Sequence, residues 1–439
     1  MSCFLILISS IYLLPAQSGQ EIRLPDLKAK VAALVARLSA PALEDREEAE
    51  RQLLELGPQA LDVLRESEEL SSPEARLRLE RVRRQLEIRL ASRAIEGASV
   101  NVPAGVSVWQ AVKEIENQTA NRIVFETLEA EQLAKRVVVP GSALPKYFWP
   151  LLDRLAEACG LEVTSAPKES AVLLRLASPT FVDKIGASRN YVSYAGPLRC
   201  RVLQCLKSDR GSTPGDPQDL LVRLQLLWEP RIRPIVFYWV GGMFRGRDAR
   251  GRELHAAAGE GTREVPALAT QCGIEILARL ELPAVDEVER LGGLEGRVVA
   301  VVAGEAIPVR FPLAQLCPQL QRIGDATVVL QNINATNTQT AISLRVVYGQ
   351  AYTAFESHRA WFYQFRPWLA LPGGKIVPPT AIEPQIQREN EVALVFRFPP
   401  ISAENGGELI WEIPGAIARE EYTLRWESIP VNPADLTTP

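Results

Sequence analysis

Histidines, cysteines and carboxylates are the side chains here that could act on a substrate or hold a metal ion. The chain of 439 residues has two histidines, His255 and His358, and they fall in different predicted domains. No Cys-x-x-Cys pair or His-Glu-x-x-His helix gives a zinc spacing, and no Gly-x-Ser-x-Gly elbow is present. The segment Gly241–Gly246 lacks the Lys-Ser/Thr pair and following helix of a phosphate loop. We therefore predict no catalytic, cofactor-binding or metal-binding residue.

Neighbouring acids give one alternative. Asp286 with Glu287, and Glu420 with Glu421, are acidic pairs of the residue type that glycoside hydrolases use. Solvated surface acids are far more frequent than catalytic ones. A hydrolase with a carboxylate site at a domain junction is thus an alternative, and the leading interpretation is a protein without catalysis.

The most unusual cluster is aromatic and basic, and it follows Ser357 and His358. The candidate binding surface consists of Arg359, Trp361, Tyr363, Arg366 and Trp368. Aromatic and arginine side chains are typical of interfaces, so this segment could bind a glycan or a protein. The alternative is structural, with the aromatic rings filling a sandwich core or covering its edge.

The beginning of the chain resembles a secretory signal. Phe4–Leu14 is an apolar run shorter than the ~20 residues of a membrane span, and small residues follow at Ala16 and Ser18. We expect a signal peptide over residues 1–18, although no Lys or Arg precedes the run. A buried N-terminal strand or helix is the alternative. Cleavage would leave an extracytoplasmic protein, periplasmic or secreted, with no membrane span.

Charge argues against one class of partner. The formal net charge is -4, so no broad basic field is present to attract nucleic acid.

Five cysteines would remain after cleavage, an odd number that cannot pair completely within one molecule. Cys200 and Cys205 lie five apart on a probable strand, so we expect them to point to opposite faces. The favoured interpretation is that the cysteines are small buried apolar side chains. A bridge from Cys272 or Cys317 to this strand is the alternative.

Residues 27–95 have helical periodicity. Ala75, Leu79, Val82, Leu86 and Leu90 recur at spacings of three and four. Ser71 and Glu74 have capping-box spacing before this stripe. The earlier stretch REEAERQLLELGPQALDVL, which starts at Arg46, resembles a single HEAT-like helical unit, and one such unit must pack on a neighbour.

Residues 98–178 predict a small α+β domain. Ser99–Val102, Arg122–Phe125 and Arg136–Val139 are strand-like, and Ser107 is a predicted helix cap. The stretches VSVWQAVKEIENQTANRIVF and LLDRLAEACGLEVT resemble the short N-terminal domain shared by secretins and TonB-dependent receptors. That resemblance implies protein–protein contacts at the cell envelope.

The rest of the chain predicts short strands separated by turn residues, as in antiparallel β-sandwiches. The predicted strands are residues 221–228, 235–240, 274–280, 297–302, 327–330, 342–347, 392–398, 408–413 and 423–426. Asp248–Gly251 is a predicted turn. We place one sandwich at 190–316, a linker near 316–325, a second sandwich at 326–430, and a loose tail at 431–439.

The predicted fold is multidomain, with an N-terminal α-helical segment, a small α+β domain and two C-terminal antiparallel β-sandwich domains. The leading function is an extracytoplasmic structural or protein-interaction protein of the bacterial cell envelope, with a protein partner and no cofactor. A carbohydrate-binding protein with a glycan partner is the alternative.

Overall fold

The computed structural model describes residues 24–65, 72–139, 144–177, 191–209, 218–282, 288–356, 365–401 and 406–431. The predicted signal peptide lies outside these stretches, and so does the predicted tail from residue 432 onward. The chain forms two compact units, one ending at Arg83 and the other beginning at Arg84. It is mostly β, with helices and several antiparallel sheets.

The first unit is helical. Its elements are α1 (Leu24–Arg37), α2 (Leu43–Leu56), a 3-10 turn (Pro58–Ala60), α3 (Leu61–Arg65) and the first part of α4 (Pro73–Ser92). The predicted stripe is buried at Ala75, Leu79 and Val82. Ser71 lies outside the described residues, and the Ser72 hydroxyl accepts the Ala75 N–H at 3.4 Å at the start of α4. None of the described helices combines the length and apolar character needed to cross a membrane.

The second unit starts within α4 and continues with a 3-10 turn (Arg93–Ile95) and an α+β segment. The elements of that segment are α5 (Val108–Thr119), β1 (Ile123–Phe125), α6 (Leu128–Arg136), α7 (Phe148–Ala158), β2 (Leu161–Ser165) and β3 (Val172–Leu176). The sheet order is β1-β3-β2, with β1 parallel to β3 and β2 antiparallel to it. The predicted cap is confirmed, because Ser107 and Gln110 form a complete capping box.

Two strand predictions in this segment are wrong. Residues 99–102 and 136–139 contribute only isolated bridges, Ser99 to Tyr147 and Ser107 to Val138. Arg136 instead ends α6, which begins with the Thr127 hydroxyl accepting the Ala130 N–H. Acids in the first turn and bases in the last turn stabilise this helix through its dipole. The three valines after Arg136 therefore led to a predicted strand, whereas the structure has the end of a capped helix at this point.

With 3-10 turns at Gly241–Met243 and Pro372–Gly374, the remaining described residues form mainly strands. They are β4 (Val192–Ala195), β5 (Leu198–Asp209), β6 (Gln218–Trp228), β7 (Arg233–Val240), β8 (Arg245–Asp248), β9 (Glu253–His255), β10 (Thr262–Pro266), β11 (Gly273–Glu281), β12 (Arg290–Ala303), β13 (Ala306–Pro312), β14 (Gln319–Ile323), β15 (Ala326–Ala335), β16 (Thr340–Tyr348), β17 (Trp368–Leu371), β18 (Lys375–Val377), β19 (Ala381–Arg388), β20 (Glu391–Phe398), β21 (Glu408–Pro414) and β22 (Ile417–Pro430). Each of the nine predicted strand runs lies within one of them.

These strands form four sheets. The orders are β11-β6-β5-β4, β10-β7-β12-β8-β9 with β22 also on β12, β13-β21-β17-β18, and β14-β15-β16-β20-β19. The predicted turn between β8 and β9 is confirmed. The Asp248 carboxylate accepts the Arg250 and Arg252 N–H groups at 2.9 and 2.8 Å, and Gly251 has φ 83°.

Strand pairing crosses the predicted boundary between residues 316 and 326. Strand β22 pairs with β12 from Arg290↔Pro430 to Ala303↔Ile417, and β13 pairs with β21. The predicted linker also contains β14, which pairs with β15. Strands β7 and β12 contribute side chains to two apolar cores, with Phe237 in the first and Val236 in the second.

The two cysteines of β5 share one face, so the prediction that they diverge is wrong. Cys200 lies opposite Leu226, and Cys205 lies opposite Val222. Leu226 and Val222 are an even number of residues apart on β6, so both lie on its core face. A register shift between Val202 and Gln204 inserts one extra residue into β5, which reverses the alternation of the two faces beyond it. Both cysteines are fully buried.

Candidate functional site

A cleft of about 490 Å³ in the second unit contains part of the predicted aromatic segment. Its lining comes from Ser170, the stretch from Trp228 to Ile235, the β10–β11 connection, the end of β12, and the residues around Trp368 and Glu412. We call it the Trp368 cleft. The volume lies within the ~300–1,000 Å³ of small-molecule sites.

The β6–β7 turn forms one wall, and a buried carboxylate fixes it. Glu229 is fully buried and accepts the Ala98 N–H at 2.8 Å, the Asn121 amide at 3.1 Å and the Arg231 guanidinium at 2.6 Å. The Asn121 carbonyl accepts the Arg231 N–H at 2.9 Å. Glu229 binds Ala98 and Asn121, and Asn121 also binds Arg231, so this hydrogen-bond network connects the turn to the α+β segment at two residues.

Aromatic rings form the other wall. Trp368 is half-buried and begins β17, while Phe365 is half-buried just before it. The Trp411 indole N–H donates to the Phe365 carbonyl, which fixes this backbone. The Arg233 guanidinium lies 5.4 Å from the centre of the Phe365 ring, a cation–π distance.

The charges of the described lining are two guanidinium groups and one carboxylate. Arg233, Arg366 and Glu412 are all exposed. Among the described residues, Arg233 and Glu412 form no ion pair, whereas Arg366 has an interaction partner. Gln271 and Ser170 add neutral polar groups. The cleft can therefore stack a ring, donate to an anion and accept from hydroxyl groups.

The structure describes two of the five predicted surface residues, Arg366 and Trp368, and both line the cleft. Arg359, Trp361 and Tyr363 lie outside the described residues. Sequence reasoning missed Arg233 and Glu412. Their only local signal is a charge inside an otherwise apolar strand, which does not predict a partner from another part of the chain.

The predicted acidic pairs do not contribute to the described lining. Asp286 and Glu287 lie outside the described residues, and Glu420 and Glu421 are exposed on β22, where Arg297 contacts Glu421 at 2.9 Å. Glycosidase chemistry of the usual kind needs two carboxyl groups about 5–10 Å apart. Glu412 is the single carboxylate of the described lining, so this cleft gives that mechanism no support.

The histidines and metal-ligand types likewise form no described cluster. His255 is exposed on β9, and His358 lies outside the described residues. Within the stretches that the structure describes, no group of three or more His, Cys, Asp or Glu side chains could hold a metal ion.

The five described cysteines are free thiols. Burial raises the pKa of Cys159 to about 11, of Cys205 to about 12 and of Cys272 to about 11, and it raises the pKa of Cys200 further. A thiol with a raised pKa is a weak nucleophile at neutral pH. The interpretation as buried apolar side chains is thus confirmed for these four.

Comparison with known family models and with curated proteins gives no match for this chain. The resemblances to a HEAT-like unit and to the secretin and TonB short domain therefore depend on the residues that carry them.

Proposed function

We propose that this protein is a non-catalytic binding protein of the bacterial cell envelope, and that the Trp368 cleft is its ligand site. The observation that carries the proposal is the meeting of Trp368, Phe365 and Arg233 at one cleft of ligand size. Such sites combine apolar walls with a few convergent polar groups. The envelope setting depends on the signal-like run Phe4–Leu14 and on the domain resemblance of residues 98–178.

The aromatic wall favours a carbohydrate at this site. Trp368 and Phe365 line the cleft, and sugar rings pack their C–H faces on aromatic side chains. Among the described strands, the lining residues Arg233, Trp368 and Glu412 each pair with a neighbouring strand on one side. An extended peptide that adds a strand at such an edge is therefore the competing ligand.

Tryptophan fluorescence provides the test. Titration with cell-wall and extracellular glycans should change the emission, because Trp368 lies in the cleft. The variant Trp368→Ala should lose binding. The variant Trp109→Ala, which changes a half-buried tryptophan on α5 outside the cleft, should retain it. Unchanged emission of the full chain with every glycan would contradict the proposal.

Protein contact is a second candidate, and exposed apolar side chains favour it. Leu128, Val138 and Tyr147 of the α+β segment are 74%, 58% and 60% exposed. Large exposed apolar side chains are typical contact residues of protein interfaces. Affinity capture from envelope fractions should recover a partner with the natural chain and lose it with Leu128→Ser, Val138→Ser and Tyr147→Ser combined. Equal recovery by both chains would contradict a role for this surface.

A further inference from the structure

We infer that the ligand of the Trp368 cleft is an acidic glycan, whose ring stacks on Trp368 and whose carboxylate pairs with Arg233. The inference depends on the proposed function, in which the cleft binds carbohydrate, and adds the ligand's charge. It assigns separate roles to the aromatic wall and to the cation.

The position of the Arg233 side chain is the first step of the argument. Its guanidinium lies 5.4 Å from the Phe365 ring centre, and the side chain is exposed. Among the described residues, no carboxylate forms an ion pair with Arg233. A guanidinium carries a planar fork of N–H donors that matches a carboxylate in two-point geometry. Arg233 therefore places such a fork beside the aromatic ring at the cleft.

The local charge is the second step. The described lining contains two arginines, Arg233 and Arg366, and one carboxylate, Glu412. These described residues therefore have a formal net charge of +1, whereas the whole chain has a formal net charge of -4. A local excess of positive charge on an acidic protein attracts an anion to that place and not to the surface in general.

The remaining hydrogen-bonding groups are the third step. Gln271 and Ser170 are neutral polar side chains of the lining, and Glu412 adds a carboxylate. An amide both donates and accepts, and a carboxylate accepts from two hydroxyl groups, so these side chains suit the hydroxyl-rich edge of a sugar. An acidic peptide offers no such edge. A neutral glycan would leave the Arg233 donors without an anionic partner.

The test uses a matched pair of probes, an oligogalacturonate and its full methyl ester, which differ in the carboxylate charge. Isothermal titration of the full chain at low salt should show the acid binding about tenfold more tightly than the ester, as one strong charge-assisted contact allows. The difference should shrink at ~0.5 M salt because screening weakens the ion pair.

Variants assign the effect to named residues. Arg233→Gln should remove the preference for the acid, so that acid and ester bind with similar affinity, and Arg233→Lys should keep part of the preference, since lysine retains the charge without the fork. Trp368→Ala should weaken both probes. The control Arg388→Gln changes an arginine that is 71% exposed on β19 and outside the cleft lining, and it should change neither affinity.

The outcomes separate the two proposals. Equal affinity for acid and ester, with both lost in Trp368→Ala, would overturn the charge inference and keep the carbohydrate site. A preference for the acid that persists in Arg233→Gln would also overturn it. Failure of both probes and of neutral glycans, together with binding of polyglutamate, would overturn the carbohydrate site itself.

Discussion

The Asn121 side-chain amide donates to the Glu229 carboxylate at 3.1 Å, and both residues are fully buried. Asn121 ends the turn after α5, and Glu229 follows β6. Because Pro230 and Ile232 of the next turn line the Trp368 cleft, this contact connects the α+β segment to the cleft wall. A buried carboxylate with three donors is stable only while those donors remain.

We expect Glu229→Ala to lower the free energy of unfolding by about 3 kcal/mol, because it leaves the Arg231 and Asn121 groups without their acceptor. Urea denaturation measures the change. The control Glu389→Ala removes an exposed carboxylate, and it should stay within about 0.5 kcal/mol of the natural chain. A similar small effect for Glu229→Ala would show that the network does not stabilise the fold.

The pKa of Cys205 predicts a loss of stability at alkaline pH. Burial raises this pKa from 9.0 to about 12, so the folded thiol stays protonated where the unfolded thiol ionises. The stability that comes from the raised pKa of Cys205 is fully present below pH 9. As the pH rises toward 12, ionisation of the thiol in the unfolded chain lowers the free energy of unfolding by about 1.4 kcal/mol per pKa unit.

The variant Cys205→Ala should therefore lose less stability than the natural chain between pH 8 and pH 11. Chemical denaturation at several pH values measures the slope. The half-buried Cys317 provides a control, since Cys317→Ala should change the slope less. Identical slopes for the natural chain and Cys205→Ala would contradict the role of burial.

Two glycines of β12 allow a matched pair of substitutions that tests the packing around Trp239. A Cβ on Gly296 would lie 2.5 Å from the Trp239 ring and 3.3 Å from Phe244, whereas one on Gly293 would meet only the Trp426 carbonyl at 4.0 Å. We expect Gly296→Ala to destabilise by about 1–3 kcal/mol through overpacking. Gly293→Ala should be close to neutral in thermal denaturation. Equal melting temperatures for the two variants would contradict the packing around Trp239.

The cap of α5 predicts a smaller effect. The Ser107 hydroxyl accepts the Gln110 N–H at 3.2 Å, and the Gln110 side chain accepts the Ser107 N–H at 2.9 Å. Ser107→Ala should cost about 1 kcal/mol, and Ser107→Asp should recover most of it because aspartate also caps. Denaturation of the three chains compares them, and an equal loss in both variants would argue against capping.

Local patterns determined much of this protein from the sequence. The alternating apolar runs gave the strands of the β region, and Asp248 with Gly251 gave the β8–β9 turn. Ser107 gave the start of α5. Each of these features depends on residues within a few positions of one another, so it can be predicted from a short stretch of sequence.

Tertiary structure decided the rest, because it depends on which distant strands pair. The shift between Val202 and Gln204 exists only against β6, and it places Cys200 and Cys205 on one core face. The pairing of β22 with β12 joins residues more than a hundred positions apart. Packing between distant segments also brings Arg233 to Phe365. Sequence alone singled out Arg366 and Trp368 as candidates for a binding surface, but the other residues that line their cleft come from contacts with no local signal.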